Sequence, residues 1–147
     1  MKGSAPRRRT PAWETFPHDA DVGVRGYGDS IAEAFANAAV ALTSVITDPE
    51  LVRPLRRLEI RCAGSDREVL FVDWLNQLVA KMAVEQMLFA RFEVEVEHDE
   101  LTAEVFGEPI DRKRHAPAAE VKGATFTQLA VARGPDGRWR AQCVVDV

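Results

Sequence analysis

The sequence predicts an α+β fold, a single-domain two-layer sandwich with a mostly antiparallel sheet and two main helices packed on one face. Three observations lead there. Strand-like runs cluster at both ends of the chain, and two helix-period runs occupy its first two-thirds. Residues 92–97, Phe-Glu-Val-Glu-Val-Glu, alternate strictly between apolar and acidic. The 147 residues suffice for one domain with a proper core. They divide into a disordered basic arm over 1–12, rich in proline and arginine, and a folded domain over 13–147.

In chain order, residues 13–16 form a short strand and residues 22–27 a second, with Gly26 and Gly28 marking a bulge or turn. Ser30-Ile31-Ala32-Glu33 then has capping-box form. Ile31, Ala34, Phe35, Ala38, Leu42 and Val45 follow at helical spacing, and Asp48-Pro49 ends the run. Residues 58–62 alternate as a strand, Gly64 breaks it, and Ser65-Asp66-Arg67-Glu68 repeats the capping pattern with Ser65 as cap. The helix it opens carries Phe71-Val72-Asp73-Trp74-Leu75, apolar on more than one side, which suits a central, buried helix.

The hairpin of residues 92–97 turns at His98-Asp99-Glu100 and returns over 101–106, its glutamates forming the solvated face of a half-covered sheet. Residues 109–117 are a loop carrying Asp111-Arg112-Lys113-Arg114-His115. A final strand pair runs over about 121–132 and 139–147, joined by Gly134-Pro135-Asp136-Gly137.

Composition narrows the function. A net charge of −4 argues against a general nucleic-acid clamp, although local basic patches are compatible with it. Cys62 and Cys143 fall in predicted strands without metal-ligand spacing, as buried free thiols of a cytoplasmic protein do. No apolar run approaches the roughly 20 residues that cross a bilayer, so no membrane partner is expected. The N-terminus has no apolar segment of signal-peptide type. Its Arg7-Arg8-Arg9 reads either as a basic arm touching RNA or as a solubilising tail.

Several chemistries are missing from the sequence. Ser30 and Ser65 are caps, Ser4 lies in the arm and Ser44 in the first helix, so none sits in a nucleophile elbow. No phosphate-binding glycine loop and no paired CxxC occurs, and His18, His98 and His115 lie in different loops. Oxygen-ligand metal chemistry is what the residues support best. In Phe16-Pro17-His18-Asp19-Ala20-Asp21-Val22-Gly23, a histidine and two carboxylates precede a strand. The stretch is either a polar turn or part of a cation site. Asp21 opens a strand while Asp146 and the terminal carboxylate of Val147 close one. If those strands are neighbours, hard oxygen donors suited to Ca²⁺, Mg²⁺ or Mn²⁺ converge. Lys122 stands out because the chain has fifteen arginines but four lysines. It is either a compact charge aimed at phosphate, or a proton donor, or a strand lysine paired with Glu120.

Taken together these pieces resemble the archease family, activator proteins of the tRNA-splicing RNA ligase. The likeness covers nearly everything except the arm. It rests on His18-Asp19-Ala20-Asp21-Val22-Gly23 with Gly28-Asp29-Ser30, on Val72-Asp73-Trp74-Leu75, on Arg114-His115, on Glu120-Val121-Lys122-Gly123 and on the closing Val144-Val145-Asp146-Val147. Their order and spacing make the set specific. The resemblance implies a compact α+β fold and a divalent cation, Ca²⁺ first and Mg²⁺ or Mn²⁺ otherwise, held by Asp21, Asp146 and Val147 with His18 adjacent. It further implies that Lys122 assists the ligase, which joins 3′-phosphate or 2′,3′-cyclic phosphate RNA ends to 5′-hydroxyl ends through a guanylylated histidine. Archease-like proteins speed that guanylylation and promote multiple turnover, so GTP and RNA are indirect partners.

The chain departs from the family pattern at Asp19, where threonine is usual, at Ala116, where an acidic residue is common, and at Gly123 in place of alanine. Asp19 thereby gives the cluster one extra carboxylate, expected beside His18 in the surroundings of the ion and able to tighten or alter its binding. Two other functions fit parts of the sequence. One is a free-standing metal-dependent phosphoester hydrolase using the same carboxylates. The other is a chaperone-like, RNA-binding accessory protein using the arm and Arg112-Lys113-Arg114.

Overall fold

The computed structural model describes residues 11–147, so residues 1–10 of the predicted arm lie outside the described residues. Eight strands and three helices follow in the order β1 (Trp13–His18), β2 (Asp21–Gly28), α1 (Ile31–Ile46), β3 (Arg56–Ala63), α2 (Arg67–Glu85) and β4 (Met87–Glu97). Then come β5 (Glu100–Pro109), α3 (Arg112–His115), β6 (Gly123–Ala124), β7 (Ala130–Arg133) and β8 (Trp139–Asp146). The α+β class holds, and every strand pairing is antiparallel. The strands divide between two sheets. The first has the order β1-β2-β8-β6, with β7 pairing the same edge of β8 further along; the second has the order β3-β5-β4.

Helix α1 begins as its sequence indicates. Ser30 Oγ accepts from the Glu33 N–H at 3.1 Å, and Glu33 Oε1 reaches back to the Asp29 N–H at 2.8 Å. Two free donors of the first turn and its approach are thereby satisfied. Helix α2 starts one residue later than expected. Asp66, not Ser65, is its cap, accepting from the Val69 N–H at 2.9 Å, and its charge sits favourably at the positive end of the helix.

Small residues set how α1 meets the first sheet. A side-chain carbon on Gly26 would lie 2.2 Å from the Ala34 carbonyl oxygen and the Ala38 nitrogen, and one on Gly28 would strike Glu33 and Ala34. Gly26 and Gly28 are therefore ordinary β2 residues that admit a helix backbone at close range, rather than the expected bulge or turn. Ala34, Phe35, Ala38, Ala41 and Leu42 are wholly buried along this face. Helix α1 touches β2 and β8 of the first sheet and β4 of the second, so it shares the central position expected of α2 alone. Trp74 of α2 is also fully buried, with its indole N–H donating to the Phe35 carbonyl at 3.0 Å. That bond satisfies the one polar atom a buried tryptophan brings.

Strand β4 is longer than its alternating part. Met87, Leu88 and Phe89 are buried and precede an irregularity between Phe89 and Arg91, after which Glu93, Glu95 and Glu97 face solvent as expected. The expected strand over about 121–132 is broken. Residues 125–129 bow out between β6 and β7, with Gln128 in the left-handed region at φ 56° and Phe126 67% exposed. Side-chain and backbone bonds hold the bow: Thr125 Oγ1 donates to the Val144 carbonyl and Gln142 Nε2 to that of Gln128. Both cysteines are buried and unpaired, and burial pushes each thiol up to about 12, Asp73 adding to the effect at Cys62. Among the described residues no helix is long and apolar enough to cross a membrane.

Candidate functional site

The β1–β2 hairpin closes through a two-residue loop, Asp19-Ala20, between the paired His18 and Asp21. Asp19 adopts φ 51°, a left-handed conformation that aspartate tolerates better than most residues. Its carboxylate is 93% exposed, with the His18 imidazole 3.9 Å away. The turn thus gives Asp19 a structural role of its own. The Phe16 ring lies where any side chain on Gly23 would sit, and the Arg25 guanidinium stacks over that ring at 4.5 Å. These contacts clasp the hairpin that presents His18 and Asp21.

Register brings the two ends of the domain together. Val22 pairs with Val145, so Asp21 faces Asp146 one step further along the same strands. Asp21 Oδ1 accepts from the Val147 N–H at 3.3 Å across 126 positions of sequence. On the other side of β8, Gly123 pairs with Asp146, and the Lys122 N–H donates to the Asp146 carbonyl at 2.8 Å. His18, Asp21, Asp146 and Gly123 therefore form one row across four neighbouring strands, spanning roughly 15 Å at the usual strand spacing, and Lys122 stands at its end immediately before Gly123. Lys122 is exposed and makes no salt bridge among the described residues, so the expected pairing with Glu120 does not form.

The side-chain donors in this row are the hard oxygens of Asp21 and Asp146. That chemistry fits Ca²⁺ or Mg²⁺, which accept carboxylates and complete their shells with water. Among the described residues no three His, Cys, Asp or Glu side chains come close enough to hold a metal by themselves. A cation here would depend on main-chain oxygens and water as well as on Asp21 and Asp146.

A second carboxylate cluster escaped the sequence reading. Glu108 on β5 is only 2% exposed. Its oxygens accept from the Arg53 N–H at 2.8 Å and Nε at 3.0 Å, and pair with Arg114 at 2.5 Å and His115 at 3.0 Å. His115 Nδ1 accepts from the Asp111 N–H at 2.8 Å, so the neutral ring carries its proton on Nε2 and donates it to Glu108. Burial pushes the Glu108 carboxyl up, but the hydrogen bonds from Arg114, Arg53 and His115 outweigh it and hold the group well below the usual carboxylate range. The same contact raises the Arg114 guanidinium.

This cluster ties down the segment leading to the row. Arg114 Nη1 also donates to the Leu51 carbonyl and Thr47 Oγ1 to that of His115. The Ala118 N–H donates to the Ile46 carbonyl, Val121 is buried, and Lys122 follows. Arg114 is thus committed within the fold and is not a free cation for RNA. The Arg114-His115 pair belongs to the scaffold that positions Lys122. The sequence showed only an Arg-His pair in a basic loop, because Arg53 and Glu108 lie in other elements.

The small α+β domain thus brings acidic side chains and Lys122 to one sheet end that is half-open to solvent. The sequence profile described as "Archease protein family (MTH1598/TM1083)" matches residues 13–147. The protein archease of Pyrococcus abyssi is 40% identical over 139 residues, covering 92% of this chain and 98% of that one. That of Pyrococcus furiosus is 37% identical over the same coverage. The solution structure of Methanobacterium thermoautotrophicum protein 1598 superposes with a TM-score of 0.76 at 34% identity, over 92% of this chain and 99% of that one. A Thermotoga maritima archease, described as a possible chaperone, shares the fold with a TM-score of 0.55 at 17% identity, over 97% of this chain and all of that one. The chain belongs to the archease family.

Proposed function

We propose that this protein is a non-enzymatic activator of the tRNA-splicing RNA ligase, acting in trans on guanylylation of the ligase's active-site histidine. It thereby supports repeated joining of 3′-phosphate or 2′,3′-cyclic phosphate RNA ends to 5′-hydroxyl ends. The observation that carries the reading is the row itself. Asp21 meets Val147, and Lys122 is anchored by its main chain to Asp146. Lys122 then offers an unpaired ammonium to phosphate oxygens of the nucleotide, where charge develops during transfer. Asp21, Asp146 and the Val147 terminus would hold a divalent cation, Ca²⁺ first, with His18 adjacent. Such an ion supplies charge neutralisation and Lewis acidity at phosphoryl oxygens.

The test is guanylylation of purified ligase with GTP. Lys122→Ala and Asp146→Ala should fold like the unaltered chain and abolish the stimulation. Full stimulation by both variants would sink the reading. The hydrolase alternative predicts turnover of a phosphoester by this protein alone with Mg²⁺ or Mn²⁺, which the activator reading does not.

A further inference from the structure

We propose that the opposite end of the first sheet binds the sugar–phosphate backbone of single-stranded RNA. This inference is independent of the ligase reading, because it concerns a different surface and the protein alone. Strand β2 separates the two ends by about 25 Å at the usual rise per residue. There Tyr27 pairs with Arg140, and Trp139 pairs with both Gly28 and Arg133. A cavity of about 660 Å³ opens beside them, lined by Tyr27, Arg133, Arg138, Arg140 and the β7–β8 turn.

Three guanidinium groups around one cavity run against the net charge of −4. None of the three makes a salt bridge among the described residues. Arg138 lies over the Tyr27 ring at 5.3 Å, and Arg133 Nε donates to the Gly137 carbonyl at 3.0 Å. Both side chains are thereby oriented without being neutralised. The carboxylate in the lining, Asp136, accepts from the Arg138 main-chain N–H at 3.0 Å and caps the turn. Arginine's planar fork suits phosphate oxygens, and a tyrosine among arginines can stack a base of any sequence.

The preceding chain joins the same end. The Tyr27 N–H donates to the Ala12 carbonyl at 2.8 Å. Repeated, evenly spaced anionic charge with stackable rings is the ligand that this combination fits.

The experiment is fluorescence anisotropy of the full chain with a labelled oligouridylate of about 20 nucleotides, across a potassium chloride series. The unaltered chain should bind, and should weaken steeply as salt rises. Arg133→Glu with Arg140→Glu, both exposed positions, should weaken binding at least about tenfold and flatten the log–log salt slope by about 1.4. The milder Arg133→Gln and Arg140→Gln should each give part of that change, and an unaltered circular dichroism spectrum certifies the fold. Unchanged affinity and slope in the double variant would overturn the proposal, as would absence of salt-dependent binding by the unaltered chain. Loss of binding in Arg112→Glu with Lys113→Glu but not at this end would also overturn it. So would binding to anionic phospholipid vesicles without binding to the oligonucleotide.

Discussion

Two carboxylate sites lie on adjoining parts of this molecule and are treated in opposite ways. Glu108 is buried, and two arginines, a histidine and a main-chain N–H surround its oxygens. Asp21 sits half-buried at a sheet end and accepts one N–H, from Val147, at 3.3 Å. The first carboxylate has no capacity left and serves the fold. The second keeps capacity for a ligand. Donor saturation, more than charge or burial, separates a structural carboxylate from an available one.

The comparison is broken most directly at Glu108. Glu108→Gln keeps the shape but leaves two guanidinium groups facing a neutral amide, and should cost about 3–5 kcal/mol in urea unfolding. A loss below about 1 kcal/mol would mean the cluster is not the staple described above. Asp21→Asn and Asp146→Asn should behave oppositely. In chelator each should unfold within about 0.5 kcal/mol of the unaltered chain. The unaltered chain should gain about 2.7 kcal/mol with Ca²⁺ at a hundred times its dissociation constant, and both variants should lose most of that gain.

Acid provides a subtler contrast. The folded pKa of Glu108 is depressed, so its contribution is present above the unfolded value of about 4.3 and is lost as pH falls towards the folded one. Stability of the unaltered chain should therefore decline below about pH 4, and Glu108→Gln should show a shallower decline there. Equal slopes would contradict the assignment. The smallest effect is expected at Asp19. Asn also tolerates the left-handed conformation, so Asp19→Asn should change unfolding by less than about 0.5 kcal/mol and leave the Ca²⁺ response intact. A Ca²⁺ affinity reduced by about tenfold or more would make Asp19 part of the site.

Local signals were legible in the sequence because their physics is local. The Ser30 cap, the alternation of residues 92–97 and the polar turn before β2 each depend on neighbours a few positions away. The meeting of Asp21 with the chain's end was legible only as a condition, that their strands be neighbours. Structure met it through the β2–β8 register. The Glu108 cluster was not legible, since its members come from three separate segments and each has a bland reading alone. The bow at residues 125–129 was also hidden. It depends on Gln142 and Val144 of a later strand accepting and donating where β6 stops. At Gly26 and Gly28 the residue type was informative but ambiguous, because a turn and a close helix approach both call for glycine.

That bow has a consequence for how the protein behaves among copies of itself. The first sheet ends at β1 on one side and at β6 and β7 on the other. An intact edge strand is a template on which another chain can add a strand and begin an aggregate. Here one edge is interrupted by the bow into pieces of two and four residues, and the other carries Pro17, which has no N–H to offer. In the second sheet, edge strand β4 is kinked beside Ala90 and β3 bears Arg56, Arg57 and Arg61. Each free edge is too short, bent, charged or donor-poor to seed a growing sheet, so a domain with eight strands should stay dispersed at high concentration.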